Sequence, residues 1–123
     1  MLEVYSNNIE IGANTVVPFD NVSLKKGCTA TLSGTSTIDL NKCGVYMVSC
    51  SASAEASTTI QLYKNGIAQP QAQSTGTTPS FTTLVQVADN NSCCPCSSAT
   101  SLQVMNSTAT TLSNIDVVVT KVC

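Results

Sequence analysis

The stretch Cys43-Gly44-Val45-Tyr46-Met47-Val48-Ser49-Cys50 decides the fold prediction. It is apolar, it carries two valines, and the chain enters it through a glycine. A continuous apolar run of this length predicts a central β-strand that is buried on both faces or nearly so. Because successive side chains of a strand alternate, Tyr46 and Val48 share one face, and Val45 and Met47 share the other.

The rest of the chain reads as short strands bounded by turn residues, without helical periodicity. Strands are predicted over Ser57–Lys64, Phe81–Ala88 and Leu112–Val122, and Asn65-Gly66 is a strong hairpin signal. This pattern predicts an all-β fold, an antiparallel two-sheet jelly-roll sandwich of about ten strands. We expect residues 1–14 to form an N-terminal arm or attachment segment and residues 15–123 to form the jelly-roll domain.

The composition excludes several classes of function. The chain has 123 residues, enough for one domain, and only 10% are charged, against about 25% in an average soluble domain. It contains no histidine, which excludes histidine acid–base chemistry. Its five lysines are scattered along the sequence without arginine, so we expect no nucleic-acid partner. The sequence has no apolar run long enough to span a membrane, so we expect no membrane partner. The N-terminus lacks a signal-peptide pattern, so we expect synthesis in a host cytoplasm.

The cysteines are the sharpest chemical feature. There are seven, so at least one is free or pairs between chains. The cluster Cys93, Cys94 and Cys96 is open to three interpretations: disulfides, which we favour, a zinc site, or reduced thiols. Cys50 is expected to be a small buried hydrophobe. Asp89-Asn90-Asn91 offers oxygen ligands for Ca²⁺, although a metal-free turn is favoured.

The sequence contains no catalytic constellation. The seven acidic residues do not pair at an informative spacing, and no serine or threonine lies in a nucleophile motif. We therefore expect no enzyme activity and no cofactor. Two polar segments, residues 69–79 and 89–100, are predicted as exposed loops, and loops on a rigid scaffold are the usual places for partner contact.

Three segments together resemble one family. Asp39–Val48, with its Gly-x-Tyr-x-apolar pattern, resembles the start of the central strand in C1q/TNF-like jelly-roll domains. The strand and turn at Ile60–Gly66 and the pattern Leu-Ser-x-Ile-x-Val at Leu112–Val117 are similar to the corresponding parts of bacterial and phage members. The resemblance extends from about Val16 to Val122, but the cysteine-rich segment is not part of it.

The resemblance implies a homotrimer around a threefold axis, with adhesion or recognition as its function. It implies that Tyr46 lies near the axis, with Val48 next to it and with Leu102 and Val104 as further interface candidates. Small phage members resemble head-decoration or fibre-tip proteins, so we expect a structural protein on the virion surface, with a major capsid protein or a fibre shaft as partner. The alternative is a receptor- or carbohydrate-binding adhesion module, in which loops 69–79 and 89–100 contact a host-surface glycan or receptor.

Overall fold

The computed structural model describes residues 1–27, 30–42, 44–87 and 100–122. Across these ranges the chain forms eleven strands and no helix that is long and apolar enough to cross a membrane. The strands are β1 Leu2–Ile11, β2 Thr15–Val16, β3 Asn21–Lys25, β4 Ala30–Ser33, β5 Thr37–Leu40, β6 Gly44–Ala54, β7 Thr58–Lys64, β8 Ile67–Gly76, β9 Ser80–Val87, β10 Thr100–Asn106 and β11 Thr110–Lys121.

The strands form two antiparallel sheets. The first, five-stranded sheet has the order β3-β1-β11-β6-β9, and the second has the order β4-β5-β10-β7-β8, with the short β2 paired to β10. The first and last long strands of the chain, β1 and β11, are neighbours. The predicted jelly-roll-like sandwich is thereby confirmed, with eleven strands in the described residues where about ten were expected.

The core lies between the two sheets and is built by strict alternation. In β9, Phe81, Val85 and Val87 point inward, whereas Leu84 and Gln86 point to solvent. The same alternation holds in β10 and in most of β11. Each sheet therefore buries one face, as expected for an antiparallel sandwich.

Strand β6 is buried on only one face, so the prediction of burial on both faces is wrong for the second. Tyr46 and Val48 lie in the core, whereas Val45 is half-buried and the Met47 side chain is 37% exposed. Within the described part of one chain, these outward side chains lie on the outer face of the five-stranded sheet, where no third layer of strands covers them. The apolar run therefore predicted the buried face of β6 correctly. On the other face, the apolar side chains remain partly exposed in the protomer.

The N-terminal segment is part of the sandwich and not a separate arm. Strand β1 lies inside the five-stranded sheet between β3 and β11, and it pairs with β11 along its length. Leu2 and Val4 are buried in the core because they occupy alternate, inward-pointing positions. A contact between this segment and a virion stays a prediction.

The prediction of a loop over residues 69–79 is also wrong, because Ile67–Gly76 forms β8 and pairs with β7. This edge strand is rich in Gln, Ser and Thr, so its alternation carries little hydrophobic contrast, and Ala72 is its one fully buried residue. Of the second expected loop, 89–100, only Thr100 belongs to the described residues, where it begins β10. Asp89-Asn90-Asn91 lies outside the described residues.

The hairpin prediction at Asn65-Gly66 is confirmed. The two residues connect β7 to β8, with positive φ angles of 52° at Asn65 and 81° at Gly66. Positive φ at both central residues is the requirement of a type I′ hairpin turn, which Asn-Gly satisfies at low cost. The Asn65 side-chain oxygen also accepts a hydrogen bond of 2.9 Å from the Ser101 N–H, which ties the turn to β10.

Candidate functional site

An open cleft lies at the end of the sandwich where β1 ends and β11 begins. Its volume is about 570 Å³, and it is lined by residues 10–12, 55–56 and 109–111. These three segments are the end of β1, the connection between β6 and β7, and the turn into β11. A volume of this size falls within the range of small-molecule sites, roughly 300–1,000 Å³.

Two glutamates border the cleft because of the strand pairing. Glu10 of β1 is the partner of Thr111 of β11, and the Glu55 N–H donates a 3.0 Å hydrogen bond to the Thr111 carbonyl from the opposite side. Thr111 therefore separates the two glutamates, whose backbones stand roughly 10 Å apart at the usual strand spacing. Both glutamate side chains are exposed to solvent.

A buried asparagine holds the three segments of the cleft in place. Asn106 has no exposed surface, and its side-chain N–H₂ donates to the Thr108 carbonyl at 2.7 Å and to the Gly12 carbonyl at 3.3 Å. Its Oδ1 accepts a 2.5 Å hydrogen bond from the Thr58 hydroxyl. Since a buried amide must satisfy these groups internally, the network fixes the end of β1 against the turn before β11.

The chemistry of the cleft is that of a hydrogen-bond acceptor. The carboxylate oxygens of Glu10 and Glu55 are hydrogen-bond acceptors, so they select a ligand that donates from hydroxyl or amine groups. The Thr110 hydroxyl oxygen accepts a 3.1 Å bond from the Ala56 N–H, which leaves the Thr110 O–H as a donor toward a ligand. Ile11 adds an apolar wall.

Sequence reasoning missed this site. It treated Glu10 and Glu55 as ordinary surface acids, because no sequence spacing links them. The two come together only through β11, which pairs with β1 on one side and β6 on the other. Asn106 carried no sequence signal either, since a polar residue at a strand end reads as the start of a turn.

The four predicted interface residues lie inside the protomer. Tyr46, Val48 and Leu102 have 0% exposed surface and Val104 has 1%, so they leave no side-chain surface for a second chain. The Tyr46 hydroxyl donates a 2.8 Å hydrogen bond to the Lys42 carbonyl, and burial raises the pKa of Tyr46. The homotrimer itself stays a prediction.

The cysteine predictions have two outcomes. Cys93, Cys94 and Cys96 lie outside the described residues, so their pairing stays a prediction. Cys50 is confirmed as a small buried residue with a free thiol, and burial raises the pKa of that thiol well above its usual range. In the described part of the chain, no three acidic or cysteine side chains come together as metal ligands would.

A second acidic pair lies on the outer face of the five-stranded sheet. Glu3 of β1 and Asp116 of β11 are joined by a side-chain hydrogen bond, and the Ser23 hydroxyl donates to Glu3 Oε1 at 2.7 Å. Partial burial, followed by the hydrogen bond and the charge of Glu3, raises the pKa of Asp116 to about 6. The hydrogen bond from Ser23 is the main cause that lowers the pKa of Glu3.

Comparison with known proteins assigns the chain to no family. No protein-family model matches the chain, and no curated protein matches it. Among solved structures, it is similar to a CBM35 from Paenibacillus barcinonensis, with 15% sequence identity, a TM-score of 0.37, and coverage of 98% of this chain and 93% of that one. Similarity this low carries no argument about function.

Proposed function

We propose that the protein is a non-enzymatic adhesion module that binds a glycan in the cleft between Glu10 and Glu55. The observation that carries this proposal is the cleft of about 570 Å³, bordered by two exposed carboxylates at one end of a sandwich. Sugar hydroxyls are hydrogen-bond donors in a closely spaced array, which suits a site of acceptors. The proposed contact surface is thus the cleft, and not the loops 69–79 and 89–100 that the sequence suggested.

The rigidity of the site supports binding. Asn106 and the register of β1, β11 and β6 fix the backbone that presents both glutamates. A preorganised site loses little conformational entropy when the ligand binds. Among the described residues, no aromatic side chain lines the cleft, so recognition rests on hydrogen bonds and not on ring stacking.

Binding is favoured over glycoside hydrolysis. A pair of hydrolytic carboxyls needs one member that burial or a close neighbour keeps protonated at working pH. Glu10 and Glu55 are both exposed, and the strand of Thr111 separates their backbones. Such groups hold a ligand by accepting hydrogen bonds.

The test is a glycan array followed by calorimetry with the best glycan. The variants Glu10→Gln and Glu55→Gln keep the size of the side chain but replace one acceptor oxygen with a donor. We expect each to weaken binding about tenfold or more, the loss of one or two hydrogen bonds to a charged group. Asp20→Asn, which removes an exposed carboxylate outside the cleft lining, should bind as the parent does. Absence of any bound glycan, or equal affinity in all variants, would contradict the proposal.

A second candidate is a trimeric, C1q/TNF-like structural protein on a virion surface, as a capsid decoration or head-fibre tip. The observation that favours it is the uncovered outer face of the five-stranded sheet. Met47 and Leu84 are direct cross-strand partners there, 37% and 61% exposed, beside half-buried Val45 and Val118. A cluster of exposed apolar side chains on a sheet marks a surface that a partner covers. A second and third copy, a capsid protein or a fibre shaft would supply that partner.

A further inference from the structure

All five lysines of the chain lie at one end of the sandwich, which we call the lysine end. They are Lys25, Lys26, Lys42, Lys64 and Lys121. The lysines are far apart in the sequence, but the fold brings them to the same end. The expectation from the sequence that they form no basic patch is therefore wrong. The strand pairing and hydrogen bonds of each residue establish the placement.

Two of the lysines lie beside the start of β1. Lys25 is the cross-strand partner of Leu2, and the Lys26 N–H donates a 2.9 Å hydrogen bond to the Met1 carbonyl. Both side chains are exposed. They occupy the β3 edge of the five-stranded sheet.

The other three lysines continue along the same end. Lys121 of β11 pairs with Tyr46 of β6, and the Lys42 carbonyl accepts the hydrogen bond from the Tyr46 hydroxyl. Lys64 reaches across from the second sheet, and its Nζ donates a 2.7 Å hydrogen bond to the Gln86 carbonyl of β9. The cations therefore follow the strand order β3, β1, β11, β6, β9, a span of roughly 19 Å at four strand spacings.

The opposite end has the opposite charge. Glu10 and Glu55 border the cleft there, and no lysine of the chain lies at that end. At the lysine end, the acidic side chains among the described residues are Glu3, which is hydrogen-bonded to Ser23, and Asp39. The described part of the chain is therefore polarised along the strands, although the formal net charge of the full sequence is −2.

We propose that the lysine end binds a linear polyanionic polysaccharide, carboxylated or sulfated. A row of cations along one edge suits an extended chain of anionic groups, and binding releases the counterions condensed on that chain. A glycan in the cleft and a polyanion at the lysine end would occupy opposite ends of the protein.

A nucleic acid suits this surface less well than a polysaccharide does. The chain has no arginine for bidentate phosphate contacts. Its five aromatic side chains are buried or half-buried, so none stands free as a platform for stacked bases. The lysine end therefore offers point charges without base recognition.

The test measures binding to immobilised heparin and to polygalacturonate, with poly(dT) as the nucleic-acid arm. We expect the full chain to bind at least one polysaccharide at about 50 mM salt and to lose about tenfold or more in affinity at about 200 mM. The variant Lys25→Gln, Lys26→Gln, Lys42→Gln should lose about tenfold or more at low salt.

The matched control lowers the net charge equally at the opposite end. The triple variant Ala13→Glu, Ser57→Glu, Thr78→Glu changes three exposed positions away from the lysine end and should bind within about twofold of the parent. An equal loss in both triple variants would show that net charge alone acts and would overturn the site. Failure of the parent to bind either polysaccharide, or equally tight binding of poly(dT), would overturn the assigned partner. Circular dichroism confirms that each variant is folded.

Discussion

At the scale of single residues, the most informative feature outside the cleft is the carboxyl pair Glu3–Asp116. Its members are far apart in sequence, but β1 and β11 are neighbours, and Tyr5 of β1 faces Asp116 directly. Two carboxyls that share a hydrogen bond hold one proton more readily than two separated carboxyls do. The pair is therefore a source of pH-dependent stability.

The first prediction concerns Asp116→Asn. The pKa of Asp116 is about 6 in the folded protein, against a reference value of 3.8. A raised carboxyl pKa contributes stability below about pH 4, and that contribution is lost as the pH rises through about 6. Asparagine keeps a hydrogen-bond donor toward Glu3 and carries no charge at any pH. The variant should match the parent at pH 4 and melt about 1–3 °C higher at pH 7, a small gain because solvent screens this partly exposed pair.

Thermal melts from pH 4 to pH 8 check this prediction. Asp20→Asn is the control, because Asp20 is exposed and lies outside the pair. The lowered pKa of Glu3 acts in the opposite direction, since its contribution is lost as the pH falls. A parent whose melting temperature differs from that of Asp116→Asn by the same amount at every pH would contradict the shared proton.

The burial of individual residues could be predicted wherever alternation was strong. Tyr46, Val48 and Cys50 share the buried face of β6, as the two-residue period required. Glu10, Glu55 and the network of Asn106 could not be predicted, because the contacts that define them join distant strands. Periodicity reports which face of a strand is apolar, and it does not report which strand lies beside it.

At the scale of elements, the two segments predicted wrongly are both strands whose pattern was weak. β8 alternates Gln, Ser and Thr, and β1 contains Asn8 with a positive φ of 53° in its middle. β8 is an edge strand, and such a strand needs little apolar residue content because its pairing comes from backbone hydrogen bonds. β1 is an interior strand, but its apolar alternation is interrupted at Ser6-Asn7-Asn8, so its second half reads as part of an arm.

The hairpin between β7 and β8 yields the second prediction, for Asn65→Ala. Alanine at a φ of 52° is strained by about 1–2 kcal/mol. It also removes the acceptor of the 2.9 Å hydrogen bond from the Ser101 N–H, which costs about 1 kcal/mol more. We expect a loss of about 2–3 kcal/mol in the free energy of unfolding, measured by urea denaturation.

The companion variant Asn65→Gly separates the two causes. Glycine accepts a positive φ without strain, so this variant should lose only the contribution of the hydrogen bond to Ser101. Equal losses for Asn65→Gly and Asn65→Ala would show that backbone strain plays no part. No loss in either would contradict the role of Asn65 as the link between the turn and β10.

At the scale of the whole molecule, three separate surfaces carry the three proposed contacts, which are glycan binding, polyanion binding and association of protomers. The glutamate-bordered cleft and the lysine end occupy opposite ends of the strands, and the outer face of the five-stranded sheet, with its apolar pair Met47 and Leu84, lies between them. Oligomerisation through that face would leave both ends open. The binding sites of several protomers could then hold one ligand chain at the same time. Such multivalent binding raises the avidity although each site makes the same contacts as before.

The last prediction tests that arrangement. If the outer face joins protomers, light scattering should give about three times the chain mass of 12.7 kDa. The double variant Met47→Ser, Leu84→Ser removes two exposed apolar side chains that face each other across β6 and β9. It should weaken association about tenfold or more, while each exposed substitution changes protomer stability by only about 0.5 kcal/mol.

The control, Val22→Ser with Ile67→Ser, removes two exposed apolar side chains from an edge strand and from the other sheet, and should stay trimeric. A parent that is monomeric at high micromolar concentration would contradict the trimer, and a trimer that survives the double variant would place its interface elsewhere.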